Sequence, residues 1–333
     1  MGEEQLNRFV QSLGISGVGK ITSIGHLDRE IMRRIDPRFA DVPFHLLERW
    51  MRGGEVEAIV PEYFERDPRT TAAYRLRYHG AYQDYYASGW NSATPRAVGT
   101  LLERIARGKV VSASACGHML DTMGRSSAPR MGRRLPPTVW TYSKDGGKYR
   151  VTCSAGIVRE GTFEMVVGAF TQNCDRDAGG RLVAEAAELA YRLLRPADLR
   201  LPPLSATPER LSPLFLLRDE HSQAIWNRHG QDERALVAAR RAAARNRFTA
   251  GQLVGAAVSA DGLPADLPLV VAADGPDGAH VRYQNVLRAG QVSSWTPGFT
   301  PTRPGTWTIS FYCQGTPVRS ATCTIAPATR RTP

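Results

Sequence analysis

One segment has the glycine and lysine spacing of a phosphate-binding loop: Gly14-Ile15-Ser16-Gly17-Val18-Gly19-Lys20. In loops of the form GxxxxGK, backbone N–H groups and the lysine cradle phosphate oxygens, and a hydroxyl residue after the lysine binds Mg²⁺. Here the next residue is Ile21, and the apolar residues before the glycines have the 3.6-residue period of a helix instead of a strand. The sequence therefore predicts a helix that ends in a loop at Gly14, and no phosphate site.

Cysteines and histidines are the other residues that could do chemistry. The five cysteines include no CxxC pair and the seven histidines no HExxH, so we expect no metal site and no cofactor. Cys313 and Cys323 flank the turn Gly315-Thr316-Pro317. In an exported chain this spacing slightly favours a disulfide, and the alternative is two small buried thiols.

Composition excludes several classes of protein. The 333 residues suffice for about two domains, and no run of about 18 apolar residues could span a membrane. The net charge is +11, but no aromatic residues interleave with the densest basic run, Arg240 to Arg247, so we expect no nucleic-acid partner. Met1-Gly2-Glu3-Glu4 is the opposite of a basic signal-peptide start, which predicts no signal peptide in this chain.

Several elements could position a site in the first 200 residues. Thr94 and Pro95 are typical of a helix start, and a second helix is predicted over about 111–123. Three strands, over 138–142, 149–158 and 163–170, are separated by turns and predict an antiparallel meander. Asp175 and Asp177 precede a helix that begins near Gly179 or Gly180. Its 181–194 stretch has a predicted apolar face of Leu182, Ala186, Leu189 and Leu193.

Proline marks a break at Leu201-Pro202-Pro203. Residues 213–247 are predicted to be helical, and short β segments follow at 253–258, 269–273, 280–287, 306–314 and 319–325. We therefore divide the chain into a first domain over 1–200, a proline-rich break and helical linker over 201–247, and an immunoglobulin-like β-sandwich over 248–328.

The segment Ser143-Lys144-Asp145-Gly146-Gly147-Lys148 lies where the first strand passes to the second. It resembles the Lys-Thr-Gly strand of the serine β-lactamase and D-alanyl-D-alanine peptidase superfamily, specifically its class A-like serine hydrolases. Neighbouring segments agree with that family in order and spacing over about residues 1–196: 1–14, 91–108, Ala155-Gly156-Ile157-Val158 and 175–182.

The resemblance implies a fold and a site. The fold would be α+β, an incomplete β-lactamase-like antiparallel sheet flanked by helices and followed by a small all-β sandwich. Lys144, Asp145 and Gly146 would correspond to the triad, with the Lys144 cation attracting the substrate carboxylate and the Gly147 N–H completing the oxyanion hole. The implied substrates are β-lactams or peptidoglycan stem peptides, and the full-length family member would be secreted or in the cell envelope.

The family's nucleophile motif, Ser-x-x-Lys, is absent. Three residues before the four lysines stand Gly17, Ala106, Thr141 and Asp145. Ser-x-Asn is also absent, and Tyr283-Gln284-Asn285 comes in the wrong order to replace it. We infer that Met1 is an internal methionine of a longer domain whose nucleophile half is lost, so we assign no catalytic residue.

Two further departures weaken activity. Asp145 replaces the hydroxyl residue of the triad and puts a carboxylate beside the cation meant for an anionic substrate. Between Tyr74 and Tyr86, where the family has a deacylating Glu, the one carboxylate is Asp84. The expected function is therefore an inactive β-lactamase-like serine hydrolase with penicillin-binding character. The alternative is a non-catalytic cell-wall or protein-binding module.

Overall fold

The computed structural model describes residues 2–43, 45, 68–126, 129–200, 211–212, 214–218, 225, 228, 232–260, 262–290, 293–295 and 298–328. They form two compact units, Met1–Leu101 and Leu102–Pro333. No helix among these residues is both long and apolar enough to cross a membrane. The predicted break at Leu201-Pro202-Pro203 lies outside the described residues.

The first unit is helical. It contains α1 (Glu3–Ser12), α2 (Ile24–Ile35), a 3₁₀ turn (Pro37–Asp41), α3 (Pro68–Ala87) and the start of α4 (Pro95–Ala106). The predicted helix before Gly14 is confirmed, and Gly14 has the positive φ of 63° that ends many helices. The Lys20 ammonium lies 4.7 Å from the centroid of the Trp90 ring, where it makes a cation–π contact. Asp84 is exposed on α3.

The predicted start of α4 is also confirmed. The Thr94 hydroxyl accepts a hydrogen bond from the Ala97 N–H at 3.1 Å, and Pro95 is the first helical residue. In the second unit α5 (Ala113–Gly124) and a 3₁₀ helix (Arg130–Arg134) lead into the sheet.

Three antiparallel strands form the predicted meander: β1 (Trp140–Lys148), β2 (Val151–Glu160) and β3 (Phe163–Gln172), in the order β1-β2-β3. The β1–β2 register runs without a bulge from Trp140↔Arg159 to Lys148↔Val151. Residues 143–148 therefore lie within β1, and the turn begins only at Tyr149. No strand among the described residues pairs with the outer edges of β1 and β3.

Helix α6 (Arg176–Leu194) covers one face of this sheet. Its predicted cap is confirmed, because the Asp175 carboxylate accepts hydrogen bonds from the Asp177 and Ala178 N–H groups. The predicted apolar face is wrong: Leu182, Leu189 and Leu193 are exposed by 52%, 59% and 74%. The buried face is made of small residues and two larger ones, Gly179, Gly180, Val183, Ala184, Ala187 and Tyr191.

Glycine explains why α6 packs through its small residues. A Cβ on Gly179 would lie 2.8 Å from the Thr152 side chain, which is closer than real Cβ atoms approach their neighbours. The start of the helix therefore reaches the sheet closely only where the residue has no side chain, whereas Val183 and Tyr191 pack against the sheet further along. The leucines turn away from that contact.

A buried carboxylate ties the end of α6 to β2. Glu160 is 2% exposed and accepts hydrogen bonds from Tyr191 Oη at 2.7 Å and Arg195 Nε at 2.5 Å. Burial by itself raises the pKa of Glu160, but hydrogen bonds from Thr138, Arg195 and Tyr191 outweigh it and hold the pKa below its ordinary value of 4.5.

The C-terminal part of the unit contains two further sheets. Their strands are β4 (Phe215–Arg218), β5 (Arg247–Thr249), β6 (Val254–Ala260), β7 (Leu267–Asp274), β8 (His280–Leu287), β9 (Ser293–Trp295), β10 (Gly298–Phe299), β11 (Gly305–Cys313) and β12 (Thr316–Ala326). A five-stranded sheet has the order β5-β12-β11-β7-β8, and β6 pairs with β4, β9 and β10 in a second sheet. Both sheets contribute to one buried apolar cluster. The predicted β segments are confirmed, and the immunoglobulin-like topology stays a prediction.

The prediction of helix over 213–247 is wrong in its first part. Helix α7 (Glu233–Ala242) lies in this range, but residues 215–218 form β4, which pairs with β6. A short apolar run such as Phe215-Leu216-Leu217 fits a buried strand as well as a buried helix, because periodicity does not separate the two.

The disulfide between Cys313 and Cys323 is not formed, because both cysteines are free and buried. Cys313 pairs with Thr316 beside the turn, whereas Cys323 lies opposite Trp307. This offset of six residues along β11 corresponds to about 20 Å, far beyond the reach of a disulfide. Burial raises the pKa of each thiol to about 11.

Strand β8 meets the open edge of β1 through a side-chain amide. Gln284 Oε1 accepts from the Thr141 backbone N–H at 3.3 Å and from the Thr141 hydroxyl at 2.8 Å. Gln284 Nε2 donates to the carbonyls of Thr141 at 2.6 Å and Gly124 at 3.1 Å. The carboxamide thus replaces a neighbouring peptide group, and we define this set of bonds as the Gln284 clasp.

We expect Glu160→Gln to lower the free energy of unfolding at pH 7 by about 1–3 kcal/mol. Because the folded pKa is depressed, the carboxylate's contribution is present above its ordinary pKa and is lost as the pH falls through the folded value. The gap in unfolding free energy between wild type and variant, measured by urea denaturation at a series of pH values, should therefore narrow below about pH 4.5. Glu103→Gln, in an exposed pair with Arg107, is the control, with an expected effect below about 1 kcal/mol. An unchanged gap at low pH would contradict this account.

We expect Gln284→Leu to destabilise the full chain by at least about 2 kcal/mol, because it leaves the buried polar groups of Thr141 without partners. Gln172→Leu makes the same change at an exposed position of β3 and should stay within about 0.5 kcal/mol. Chemical denaturation of both variants measures the difference. Equal effects would show that the clasp adds nothing to stability.

Candidate functional site

The side chains of β1 alternate between two faces. Thr141 and Ser143 are buried on the inner face, where Thr141 lies against Gly132 of the 3₁₀ helix, whereas Lys144 is exposed on the outer face. The Asp145 carboxylate belongs to the inner face. The carboxylate that the sequence placed beside the Lys144 cation therefore lies on the other side of the strand.

Asp145 is held by two hydrogen bonds on that inner face. Its Oδ1 accepts from Ser154 Oγ at 2.6 Å, directly across the β1–β2 ladder. Its Oδ2 accepts from the backbone N–H of Arg130 at 3.0 Å. The carboxylate thus anchors the first residue of the 3₁₀ helix to the middle of the sheet.

Arg130 is a site residue that the sequence analysis missed. It is 9% exposed, and its Nη1 donates to the carbonyl of Gly146 at 2.6 Å and to that of Cys153 at 3.4 Å. The guanidinium lies against Gly147, where a Cβ would be 3.6 Å from Nη2. In a chain this rich in arginine, the run Arg130 to Arg134 gives no signal that separates this buried cation from solvated ones.

These groups border a cavity of about 380 Å³. Its lining is formed by Arg130, Asp145, Gly146, Gly147, Lys148, Val151 and Arg176. Three cations thus face one carboxylate that already accepts two hydrogen bonds. The excess of positive charge makes the cavity suitable for an anionic group.

The Gln284 clasp also shows which backbone groups of β1 face outward. Thr141 directs its N–H and C=O to Gln284, away from β2. In an unbroken antiparallel ladder, every second residue does the same, so Asp145 and Gly147 also direct their backbone groups to the outer edge. Lys144 Nζ donates to the Asp145 carbonyl at 2.9 Å. The structure therefore brings the Lys144 ammonium and the Gly147 N–H to the same edge.

The described nucleophiles beside the site are poorly suited to attack. Ser143 and Ser154 are 2% and 0% exposed. Burial raises the pKa of the Cys153 thiol although Arg130 opposes the shift, so the thiol stays protonated near neutral pH. The site has cations and directed backbone groups, but these three side chains do not supply an accessible activated nucleophile.

The family model of the beta-lactamase enzyme family matches residues 1–194. The chain belongs to this family. The match covers the helices α1 to α6 and the sheet that carries Lys144, Asp145, Gly146 and Gly147, and it ends before the C-terminal sheets. Among curated proteins, none matches the chain.

Solved β-lactamases and a penicillin-binding protein are similar over part of the chain. The TLA-3 extended-spectrum beta-lactamase is 14% identical to this chain. The similar region includes 58% of this chain and 55% of the TLA-3 chain, with a TM-score of 0.36. The beta-lactamase of Sphaerobacter thermophilus is 26% identical to this chain. The similar region includes 31% of this chain and 42% of that beta-lactamase, with a TM-score of 0.30. PBP-A is 20% identical to this chain. The similar region includes 38% of this chain and 56% of PBP-A, with a TM-score of 0.28. This β-lactamase-family chain thus spans about half the length of these three structures.

We expect Asp145→Ala to lower the free energy of unfolding by about 1–3 kcal/mol, because it leaves the Arg130 N–H and the buried Ser154 hydroxyl without their acceptor. Asp198→Ala, at an exposed position after α6, is the matched control and should change stability by less than about 0.5 kcal/mol. Urea denaturation compares the two. A neutral Asp145→Ala would contradict the anchoring role of this carboxylate.

Proposed function

We propose that this chain recognises the carboxylate of a β-lactam or of a peptidoglycan stem peptide and does not form an acyl-enzyme. One observation carries the proposal. Lys144 Nζ and Arg130 Nη1 bond the adjacent carbonyls of Asp145 and Gly146, so two cations converge on the segment that ends in Gly147.

The two cations approach that segment from different sides. Lys144 lies at the outer edge, where it bonds the Asp145 carbonyl, and Arg130 lies behind Gly147 on the inner face. Arg130 bonds the Gly146 and Cys153 carbonyls through Nη1, so Nη2 can donate to a bound anion in the cavity. Arg176 at the start of α6 and Lys148 add positive charge to the same cavity. A ligand carboxylate at the outer edge of β1 would be attracted both by Lys144 and by the cations of the cavity.

The Gly147 N–H supplies the second part of recognition. Its direction toward the outer edge follows from the unbroken register below the Gln284 clasp. A carbonyl oxygen of the ligand could accept from it, while the ligand's carboxylate lies near Lys144. This arrangement supports binding of an acyl compound along β1.

The absence of acylation rests on the residues that this chain supplies. No Ser-x-x-Lys or Ser-x-Asn occurs in the 333 residues, and the serines beside the site are buried. Ligand binding is therefore proposed to be reversible. Asp145 reduces the net positive charge of the cavity. Its carboxylate already accepts hydrogen bonds from the Ser154 hydroxyl and the Arg130 N–H.

A non-catalytic binding module is the second candidate function. The observation that favours it is an apolar flank formed by the exposed leucines of α6. Leu182, Leu189 and Leu193 lie on the side of α6 opposite its buried face, and Glu185, which pairs with Arg134 of the 3₁₀ helix, lies beside them. Such an apolar flank favours contact with another polypeptide. Family members are typically secreted or periplasmic, and we propose the cell envelope as the site of action of the full-length protein.

A fluorescent penicillin tests the proposal on the full chain. We expect no label that survives denaturing electrophoresis, but saturable binding in fluorescence anisotropy that weakens as salt is added. Lys144→Gln should weaken this binding at least about fivefold, since it removes the cation beside the ligand carboxylate, and Arg176→Gln, which removes a cation from the adjoining cavity, should weaken it by a smaller factor.

Arg150→Gln is the matched control. Arg150 is an exposed cation whose recorded bond goes to the Asn173 carbonyl, and its loss should leave penicillin binding unchanged. A covalent adduct would overturn the claim that this chain does not acylate. Absence of saturable binding, or equal loss in all three variants, would overturn the recognition site.

A further inference from the structure

A second cavity, of about 230 Å³, lies between the outer face of the β1–β2 sheet and the C-terminal sheets, within the same compact unit. Its sheet side includes Trp140, Tyr142 and Arg159, and its C-terminal side includes Pro268, Val270 and Gly315. It shares no lining residue with the cavity at Arg130. Ligand pockets are often found where two layers of a protein meet.

The polar group in this cavity is held in a fixed position. Trp140 and Arg159 are directly opposite each other in the β1–β2 register, which places their side chains side by side on the outer face. The Arg159 guanidinium lies 5.0 Å from the centroid of the Tyr142 ring and donates to Tyr142 Oη at 3.2 Å. Arg159 Nε also donates to Glu164 Oε2 at 2.9 Å.

Glu164 decides what kind of ligand suits Arg159. Since the carboxylate already balances the guanidinium charge, an anionic ligand gains little there. Arg159 Nη2 also donates to Glu164 Oε2, so the second N–H group on each of Nη1 and Nη2 remains for a ligand, in the fixed plane of the guanidinium. A neutral ligand with acceptor oxygens therefore fits this position better than an anion does.

The other walls require an apolar surface on the ligand. Trp140 supplies a large aromatic ring, and Pro268 and Val270 supply aliphatic groups on the opposite side. The volume is below the range of about 300–1,000 Å³ that is typical of drug-sized ligands, so it suits one six-membered ring and not a chain. A pyranose combines an apolar C–H face with acceptor oxygens around the ring.

We propose that this cavity binds a single N-acetylated hexose unit. One face of the sugar ring stacks on Trp140, the oxygens accept from Arg159, and the acetamido methyl group packs against Pro268 and Val270. The C-terminal sheets thereby complete a glycan site on the β-lactamase-like sheet. This proposal does not rest on penicillin recognition, because no residue of the Arg130 cavity takes part.

Titration of the full chain with N-acetylglucosamine, monitored by NMR shifts of the Trp140 indole N–H, tests the proposal. We expect saturable binding that is stronger than that of glucose, since glucose lacks the acetamido methyl group. Benzoate, a flat anion, should not bind. Absence of saturation by N-acetylglucosamine, or binding of benzoate alone, would overturn the proposed ligand class.

Variants locate the binding by equilibrium dialysis with labelled N-acetylglucosamine. Trp140→Ala and Arg159→Gln should each weaken binding at least about tenfold, whereas Trp140→Phe, which keeps an aromatic face, should retain most of it. Arg150→Gln is the control for loss of an exposed arginine and should bind as wild type does. Thermal melts identify any variant that fails to fold, and the rescue by Trp140→Phe then decides. Equal binding by wild type, Trp140→Ala and Arg159→Gln would overturn the site.

Discussion

The Gln284 clasp is the interaction on which the geometry of the candidate site depends. An uncovered strand edge presents unpaired backbone donors and acceptors, and the Gln284 carboxamide satisfies those of Thr141 from a different sheet. The β1–β2 ladder sets which residues of β1 direct their backbone groups outward, and the bonds of Thr141 to Gln284 identify that set. The positions of the Lys144 ammonium and the Gly147 N–H follow from it, because the register from Thr141 to Lys148 has no bulge.

Beside Gln284, strand β8 buries a second polar side chain against the sheet. Arg282 is 2% exposed and donates to the Val139 carbonyl. Burial lowers the pKa of Arg282 to about 10, which still leaves it charged at neutral pH. Its Nε and Nη1 are buried without a hydrogen-bond partner among the described residues. A buried cation without a carboxylate costs stability, so the apolar packing and the Gln284 clasp must offset that cost where β8 meets the sheet.

Much of the fold could be predicted because local chemistry determines it. The cap at Thr94, the cap at Asp175 and the three-strand meander each follow from a few neighbouring residues. The face of α6 could not be predicted from hydrophobicity, since contact with Thr152 favours Gly179 over leucine. Strand β4 was missed because a four-residue apolar run has no usable period. The predicted disulfide between Cys313 and Cys323 was wrong because their spacing about a turn does not determine the pairing register of the two strands.

The site was predictable only in part for the same reason. Lys144 to Gly147 stand together in the sequence, so their motif identifies them. Arg130 bonds Asp145 from 15 residues away in the chain and Gln284 bonds Thr141 from 143 residues away, and no local pattern marks either. The predicted opposition between Asp145 and Lys144 did not allow for the alternation of side chains along a strand, which sends the Asp145 carboxylate to Ser154.

Residue-resolved amide hydrogen exchange of the full chain tests the central claim, that Gln284 closes the β1 edge at Thr141 and leaves it open at Gly147. The account predicts that the Thr141 amide exchanges only through global unfolding, while the Gly147 amide exchanges at least about 100-fold faster. Equal exchange rates at the two positions, or a Gly147 amide as protected as that of Thr141, would contradict it.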